Sequence, residues 1–437
     1  MGGRMSLMLR RRAIMSSGPK EQPNYLCFTA LESGTFTLTI GANLTTSNFS
    51  FVEYSLDGNT WVKTDNVNSS TVTVTTPTVN AGDKVYWRGV GVRNCQTRDT
   101  NSNNKGIFSS TCEFNASGCI ASYLFYKKTD EVSLTYDRSF IGLFSGCSKL
   151  VDASELILPE NLSNDCFAYT FRNCSALEYG PSIPSGEMKQ YCFNGSFYGC
   201  TSLKDTGELN SNQLAQYCYA YMYQNCTSLT STPNLPATTL YEGCYQEMFN
   251  GCTGITTAGD MPATIIPKNA YFYMFNKCNI TSTPTIIVTS IGENGCRSMF
   301  SSCSNLITNN ISLPATTLAK NCYNWMFYQC KKITSAPELP ALTLVEGCYS
   351  SMFHTNNKVN YIKMLATDIS ASNALGNWVV SVASSGIFVK HINAQWTTTG
   401  WNGVPTNWTV IYYDPAVDKY YTDQTRATEC DDHGNPI

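Results

Sequence analysis

The chain has 437 residues, of which 42% are hydrophobic and only 14% are charged, and its net charge is −3. This length allows two or three domains with a sizeable core, and the low, slightly negative charge argues against a nucleic-acid-binding protein. No run of about 18 apolar residues, the minimum for a membrane-spanning helix, occurs in the chain. We therefore expect no membrane span.

Residues 1–22 contain a basic cluster, Arg10 to Arg12, but lack the long apolar stretch of a secretory signal peptide. Two interpretations fit this segment. It is either a tail without fixed structure or a basic peptide that docks the protein onto a larger assembly.

Residues 23–128 show the alternation of apolar and polar residues that is typical of half-buried strands. Phe36, Leu38 and Ile40 alternate with threonines, and residues 57–59, Asp-Gly-Asn, have the composition of a hairpin turn. Several short strands at this spacing predict a separate β-sandwich domain. Such a domain serves either as an adaptor or as an N-terminal cap for the residues that follow.

A repeat dominates residues 129–365, where an aromatic residue is followed three residues later by a cysteine. Successive aromatic residues are 25, 26 or 27 residues apart, a regularity that indicates a repeat protein. In a last copy at Phe353, Asn356 replaces the cysteine. The residues that we predict to form the structural core are Phe144, Cys147, Phe171, Cys174, Phe197, Cys200, Cys226, Phe249, Cys252, Phe275, Cys278, Phe300, Cys303, Phe327 and Cys330.

One repeat unit combines two kinds of pattern. Residues 322–330 place small and apolar side chains at i, i+4, i+5 and i+8, which favours a short helix. Residues 332–339 contain proline and β-branched residues, which favour extended backbone. A single unit cannot bury its apolar side, so neighbouring units must stack. The predicted fold class is therefore α+β, a solenoid of about nine 26-residue coils, each with a short strand and a short helix, preceded by the β-sandwich.

The two segments after the repeats have different predicted roles. Residues 366–413 are expected to cap the last coil, because residues 371–384 have helical character and apolar side chains that can close the core. Residues 414–437 are expected to be a polar tail, with a hairpin of residues 412–421 across its start.

The repeat also resembles a known family. The sequence Met-Phe-x-x-Cys-x-x-Leu-Thr-x-x-Pro-x-Leu-Pro-Ala-Thr-Thr-Leu is similar to the BspA-like leucine-rich repeats of gut bacterial surface proteins and of phage proteins. The similarity covers residues from about 139 to 365. It implies a role in adhesion or interaction, without catalytic residues.

The repeat cysteines have three interpretations: buried core thiols, disulfides or metal ligands. The pattern favours buried core thiols. Disulfides require an oxidising compartment, although stacked coils would place the sulfur atoms within reach of one another. Metal binding lacks support, because no Cys-x-x-Cys pair occurs and no histidine lies in register with the repeat. The segment Glu429–His433 is interpreted as part of the polar tail, and we predict neither a metal nor a cofactor.

Enzyme motifs are missing from the sequence. Neither a nucleophile elbow, a phosphate-binding glycine loop nor a zinc-binding helix motif occurs. Paired carboxylates in a solenoid groove would be the best catalytic alternative. The acids available for such a pair, which do not cluster along the chain, are Glu242, Glu247, Glu293, Glu338 and Glu346. We therefore predict a protein that is not an enzyme.

Aromatic residues near the first cysteine of each unit have two interpretations, a stacked core ladder or a stripe that contacts a glycan or a protein. The candidate ligand-binding residues are Tyr219, Tyr221, Tyr245, Tyr273, Tyr323, Trp325 and Tyr349, and Tyr271 belongs to the same pattern.

Two functional hypotheses follow. The first is a virion protein of a phage, such as a fibre, a decoration protein or a receptor-binding protein. It would bind a protein or glycan on a cell surface and contact other virion proteins through residues 1–22. The second is a bacterial cell-surface adhesin with the same type of repeat. The sequence leaves the oligomeric state open, a homo-oligomer included.

Overall fold

The computed structural model describes residues 24–40, 49–63, 72–91, 107–125, 133–134, 136–307 and 311–437. The predicted docking peptide, residues 1–22, lies outside these residues. Within the described ranges, none of the helices has the length and hydrophobicity needed to cross a membrane.

The first part of the chain forms two sheets and a four-residue helix, α1 (Ser122–Phe125). The strands are β1 (Leu26–Ala30), β2 (Phe36–Ile40), β3 (Phe49–Ser55), β4 (Val62–Lys63), β5 (Val72–Thr75), β6 (Lys84–Gly91), β7 (Phe108–Ser110), β8 (Phe114–Cys119) and β9 (Leu150–Ile157). One sheet has the strand order β4-β3-β6-β1-β8-β9 and the other the order β5-β2-β7. The pairing of β3 with β4 confirms the hairpin predicted at residues 57–59.

Aromatic side chains join the two sheets to each other and to the repeats. The ring of Phe28 in β1 lies 5.4 Å from Phe36 and 4.9 Å from Phe108, which belong to the second sheet. It also lies 5.8 Å from Phe144, the first aromatic residue of the repeat. Strand β8 pairs in parallel with β9, so the first sheet continues into the repeat region. A separate β-sandwich domain ending at residue 128 stays a prediction.

In the repeat region, ten-residue segments form ribbons of overlapping turns. In residues 217–226, Met222 N–H donates to the carbonyl of Tyr219, three residues earlier, at 3.2 Å. Tyr221 N–H instead donates to the carbonyl of Gln246 in the next unit, at 2.8 Å. Alternate N–H groups thus close local turns and link neighbouring units. We call these segments turn ribbons; they are residues 138–147, 165–174, 191–200, 217–226, 243–252, 269–278, 294–303, 321–330 and 347–356.

The predicted short helix is wrong, because every fourth residue of a turn ribbon has a positive φ. In residues 217–226 these are Tyr217 (54°), Tyr221 (59°) and Asn225 (61°). A right-handed α-helix needs a negative φ at every residue. The buried residues of a turn ribbon recur every four residues, whereas those of a helix recur every 3.6 residues. Over only ten residues, these two periods give the same sequence pattern.

The opposite side of the repeats consists of extended chain in short parallel pairs. Strand β10 (Ile265–Ile266) pairs with β12 (Ser290–Ile291), and β11 (Ile286–Ile287) pairs with β13 (Ile311–Ser312). The extended segments predicted from proline and β-branched residues are present here. The described repeat region is therefore a β-solenoid with almost no helix.

The solenoid continues beyond residue 365. The segment 371–384, predicted to be helical, has positive φ at Asn373, Asn377 and Ser381, which is the turn-ribbon pattern. Phe353 N–H donates to the carbonyl of Trp378 at 2.9 Å. Hence the helical interpretation of this segment is wrong, since its alternate carbonyl groups accept hydrogen bonds from N–H groups of the preceding ribbon.

A five-stranded sheet ends the chain. Its strands are β14 (Tyr361–Met364), β15 (Ile387–His391), β16 (Thr409–Asp414), β17 (Lys419–Tyr421) and β18 (Glu429–Cys430). Strands β14, β15 and β16 pair in parallel, and β17 and β18 then add antiparallel strands. The pairing of Tyr412 with Tyr421 confirms the predicted hairpin of residues 412–421. A short 3-10 helix, Gly400–Asn402, precedes β16.

Candidate binding face

Each turn ribbon directs two of every four residues inward and two outward. In residues 243–252, Cys244 and Tyr245 are buried, Gln246 and Glu247 are half-buried, and the next two residues are buried again. The same alternation in neighbouring ribbons creates an inner face and an outer face. We use these two names for the inward and outward residues of the turn ribbons.

The inner face carries two ladders of aromatic rings. From Phe144 to Phe353, rings of successive ribbons stack with centroids 5.2–5.9 Å apart and planes within 12° of parallel. A second ladder begins at Phe140 and includes Tyr219 and Tyr245, whose centroids are 6.1 Å apart. The predicted core residues, from Phe144 and Cys147 to Phe327 and Cys330, are all buried.

Four of the candidate ligand-binding residues lie in the second ladder. Tyr219, Tyr245, Tyr323 and Tyr349 are at most 2% exposed, and so is Tyr271. Each ring is covered by neighbouring units, so a ligand has no ring face to contact. The prediction of a ligand contact is wrong for these residues. They form a stacked ladder in the core, which was the alternative interpretation.

The second cysteine of each unit is a hydrogen-bond donor. Its thiol donates to the carbonyl of the aromatic residue in the preceding ribbon at 2.9–3.1 Å, as Cys252 does to Tyr223. Burial raises the pKa of Cys252 to about 12, which keeps this side chain a protonated thiol at neutral pH. Asn356, which replaces the cysteine in the last copy, donates from Nδ2 to the carbonyl of Phe327 at 2.9 Å. The same position therefore supplies a hydrogen-bond donor in successive units of the solenoid.

The other three candidate residues lie on the outer face. Tyr221 and Tyr273 are half-buried and Trp325 is 38% exposed. They occupy one position of the ribbon in alternate units, and Tyr169 occupies it two units before Tyr221. The sequence prediction missed Tyr169, although it stands two residues before Phe171 just as Tyr221 stands two residues before Tyr223. We call these four aromatic residues the outer rings.

Smaller or polar residues separate the outer rings along this column. They are Gly195, Glu247 and Ser298, and Ser351 follows Trp325 in the same column. A Cβ atom added to Gly195 would lie 2.6 Å from the ring of Tyr169, so this ring rests directly on the backbone of the next ribbon. A small residue at position 195 therefore makes room for the ring of Tyr169.

The outer rings adopt a costly backbone conformation. Their φ angles are 56° at Tyr169, 59° at Tyr221, 53° at Tyr273 and 59° at Trp325. A left-handed conformation costs a bulky residue about 1–3 kcal/mol, whereas glycine adopts it without strain. Because Gly195 fills the same position in its own ribbon, the fold itself does not require an aromatic residue there.

Further aromatic and amide side chains surround the outer rings. Tyr328 stacks on Trp325 with centroids 4.7 Å apart, and Phe272 lies edge-on to Tyr273 at 4.6 Å. Gln246 donates a short hydrogen bond to the hydroxyl of Tyr221. The outer face thus offers flat rings bordered by groups that donate and accept hydrogen bonds.

Four of the acids considered for catalysis have partners of their own. Glu247 accepts hydrogen bonds from Gln224 at 3.1 Å and Asn250 at 2.9 Å, and burial raises the pKa of this carboxyl group. The other three form ion pairs with lysines of neighbouring units at 2.8–3.6 Å. These pairs are Glu242–Lys268, Glu338–Lys363 and Glu346–Lys320.

The C-terminal acidic group is held by its own loop. Donor atoms of Asp431, Asp432 and His433 lie within 4.8 Å of one another. Asp431 accepts hydrogen bonds from the backbone N–H and the Nδ2 of Asn435, both at 2.8 Å. These two hydrogen bonds are sufficient to hold the turn of residues 431–435 in place, so the turn does not require a bound ion.

No protein-family profile matches the chain, and no curated protein matches it. Among solved structures, the chain is similar to a leucine-rich repeat protein from Bacteroides ovatus, with 13% sequence identity and a TM-score of 0.20. This similarity covers 72% of the present chain and 98% of the other.

Proposed function

We propose that this chain is a binding protein without catalytic activity, which presents its outer face to a protein or glycan on a cell surface. One observation carries the proposal. Bulky aromatic residues occupy left-handed backbone positions of the outer column, where Gly195 occupies the same position without strain. The left-handed conformation itself recurs at every fourth ribbon residue, so the signal is the choice of aromatic residues at positions that glycine fills without strain.

The chemistry of the outer face supports binding. Tyrosine and tryptophan dominate the energetics of protein interfaces, because their rings bury a large area and lose little conformational entropy. Trp325 is the most exposed of the outer rings and has Tyr328 stacked against it. We expect Trp325 and Tyr273 to contribute most to binding.

We further propose that the repeats are BspA-like leucine-rich repeats and that each ring of the first ladder marks one of about nine coils. The sequence pattern quoted above supports the family. The regular stacking from Phe144 to Phe353 supports the number of coils.

For the location, we propose a phage virion, with the chain folded in the reducing cytoplasm of the host before release. The thiol donors support this order of events. A cysteine oxidised to a disulfide has no S–H group, so the hydrogen bond from Cys252 to Tyr223 requires a reduced sulfur atom. Cytosolic folding supplies that state.

Cell binding tests the proposed function directly. Purified, fluorescently labelled chain is incubated with bacteria from the source culture, and the bound amount is measured by flow cytometry. The double variant Tyr273→Ala, Trp325→Ala is expected to lose at least tenfold in bound protein, since each lost hot-spot ring costs about 2 kcal/mol or more.

The matched control is Trp401→Ala, which removes a tryptophan that is 66% exposed but lies outside the turn ribbons. This variant is expected to bind like the original chain. Equal binding by the double variant, with an unchanged melting temperature, would contradict the proposal.

Mass spectrometry of purified virions and of host cell fractions tests the proposed location. Recovery in virions at a fixed copy number is the expected result. Recovery in the host envelope alone would contradict it and favour the alternative, a bacterial cell-surface adhesin.

A further inference from the structure

The outer rings form a regular array along the solenoid. Tyr169, Tyr221, Tyr273 and Trp325 occupy the same position of every second turn ribbon. Parallel strands lie about 4.8 Å apart, so successive outer rings are separated by about 10 Å. Centroids in the first inner ladder are 5.2–5.9 Å apart per unit, which gives a slightly larger separation over two units.

A polymer that binds such an array must present a flat apolar face at the same interval. The axial C–H bonds of a β-linked pyranose give one side of the sugar an apolar face of about the size of an aromatic ring. In an extended chain with two-fold character, every second sugar turns the same face to one side. Two hexose units span a distance comparable with the separation of two outer rings, so alternate sugars match alternate turn ribbons.

Amide side chains lie beside the outer rings. Gln246 donates to the hydroxyl of Tyr221, and Gln224 and Asn250 donate to Glu247, which separates Tyr221 from Tyr273 along the column. Planar amides both donate and accept, as sugar hydroxyl groups do.

The charge of the outer face favours an uncharged partner. Between Tyr221 and Trp325, its charged residues are Glu247, Lys277 and Arg297, while the remaining side chains are amides, hydroxyls and aromatic rings. Polymers rich in sulfate or carboxylate groups are bound by clusters of cations. The outer face has no such cluster in this stretch of described residues.

We propose that the outer face binds an extended, uncharged, β-linked polysaccharide lying along the solenoid, with every second sugar stacked on an outer ring. This inference rests on the proposed binding function and specifies its ligand. Tyr169 then belongs to the site together with Tyr221, Tyr273 and Trp325. Binding strengthens with the length of the polysaccharide. Each further disaccharide contacts another ring, and the translational and rotational entropy of the polymer is lost only once.

Affinity gel electrophoresis of the full chain tests this inference. The probes are mixed-linkage β-glucan, xylan and β-mannan, with polygalacturonate as the charged comparison. We expect at least one neutral polymer to retard the chain more than polygalacturonate does. The triple variant Tyr221→Ala, Tyr273→Ala, Trp325→Ala is expected to lose the retardation, and Trp401→Ala is expected to keep it.

Oligosaccharides of the retarding polymer then test the spacing. Quenching of tryptophan fluorescence should give an affinity that rises about tenfold or more when the oligosaccharide becomes long enough to reach a second ring. An affinity independent of length would overturn the inference.

Retardation by none of the neutral polymers, or equal retardation of the triple variant, would also overturn it. Such a result is distinguishable from a failure of the proposed function. If the outer rings are needed for binding to cells but no neutral polysaccharide retards the chain, the outer face binds a protein instead.

Discussion

At the scale of single residues, Asn356 shows what the second cysteine column requires. Its side chain is fully buried and makes the hydrogen bond that a thiol makes in the preceding units. Its amide oxygen, however, is buried without a partner. The column therefore selects a small buried donor, and asparagine meets this requirement less well than cysteine.

The exchange of these two residue types is a first prediction. Asn356→Cys should keep the donor, remove the unpaired oxygen and raise the free energy of unfolding by about 1 kcal/mol. The reverse exchange one unit earlier, Cys330→Asn, should lower it by about 1–3 kcal/mol. Denaturant unfolding of both variants measures the two effects, and a loss of stability in Asn356→Cys would refute the role assigned to the column.

Glu247 gives a second prediction, which concerns pH. Burial raises the folded-state pKa of this group above its ordinary value of 4.5, so the protonated form is favoured by folding. Its favourable contribution is complete below pH 4.5 and is lost as the pH rises through the folded-state pKa.

The variant Glu247→Gln removes this titration while keeping an oxygen to accept the bonds from Gln224 and Asn250. Its melting temperature should exceed that of the original chain at pH 7, and the difference should shrink as the pH approaches 4.5. Melting curves over this range check the sign. A variant that is less stable at pH 7 would show that the charge of Glu247 stabilises the fold.

At the scale of structural elements, the turn ribbon and the helix make opposite predictions for one substitution. Gly146 has a φ of 76° in the first ribbon, and a Cβ atom added there meets nothing within 4 Å. Inside a helix, Gly→Ala would stabilise the protein by about 1 kcal/mol. In the turn ribbon, Gly146→Ala should destabilise it by about 1–2 kcal/mol.

Gly146→Asn is the matched control, because asparagine tolerates the left-handed conformation and occupies the equivalent place as Asn173 and Asn225. It should cost less than Gly146→Ala. Thermal unfolding of the two variants distinguishes the elements, and a stabilising alanine would identify a helix.

The columns of the repeat were predictable from sequence because burial imposes a strict residue type at a fixed interval. Cysteine and phenylalanine recur where neighbouring units press them together, so Phe171 and Cys174 could be assigned to the core without a structure. The direction of the other rings was harder to predict. Tyr271 points inward and Tyr273 points outward, and both positions admit tyrosine.

The turn ribbon could not be predicted because its sequence pattern also fits a helix. Over ten residues, apolar positions at i, i+4, i+5 and i+8 satisfy both a helix and a ribbon with a four-residue period. The distinguishing signal was the frequent glycine and asparagine at the first and ninth positions, such as Gly243 and Gly251 in one ribbon and Asn225 at the ninth position of the preceding one. Recurring Gly and Asn eight residues apart indicate left-handed positions, which a helix would not need.

At the scale of the whole molecule, one continuous core runs from the N-terminal sheets to the C-terminal strands. It includes Phe28 at one end and Trp408 at the other. A smaller cluster of Val389, Ile411 and Cys430 lies beneath the last sheet. Stacking neighbour on neighbour buries the inner face along the full length and leaves the outer face as an extended surface.

We propose above that the outer face binds the ligand of this protein. Hydroxyl-radical footprinting tests it, with the chain labelled alone and labelled while bound to envelope fragments of bacteria from the source culture. Binding is expected to reduce the oxidation of Trp325 and Tyr273 several-fold and to leave the oxidation of Trp401 unchanged. Protection of Trp401 with no change at Trp325 and Tyr273 would place the binding surface elsewhere and contradict the account.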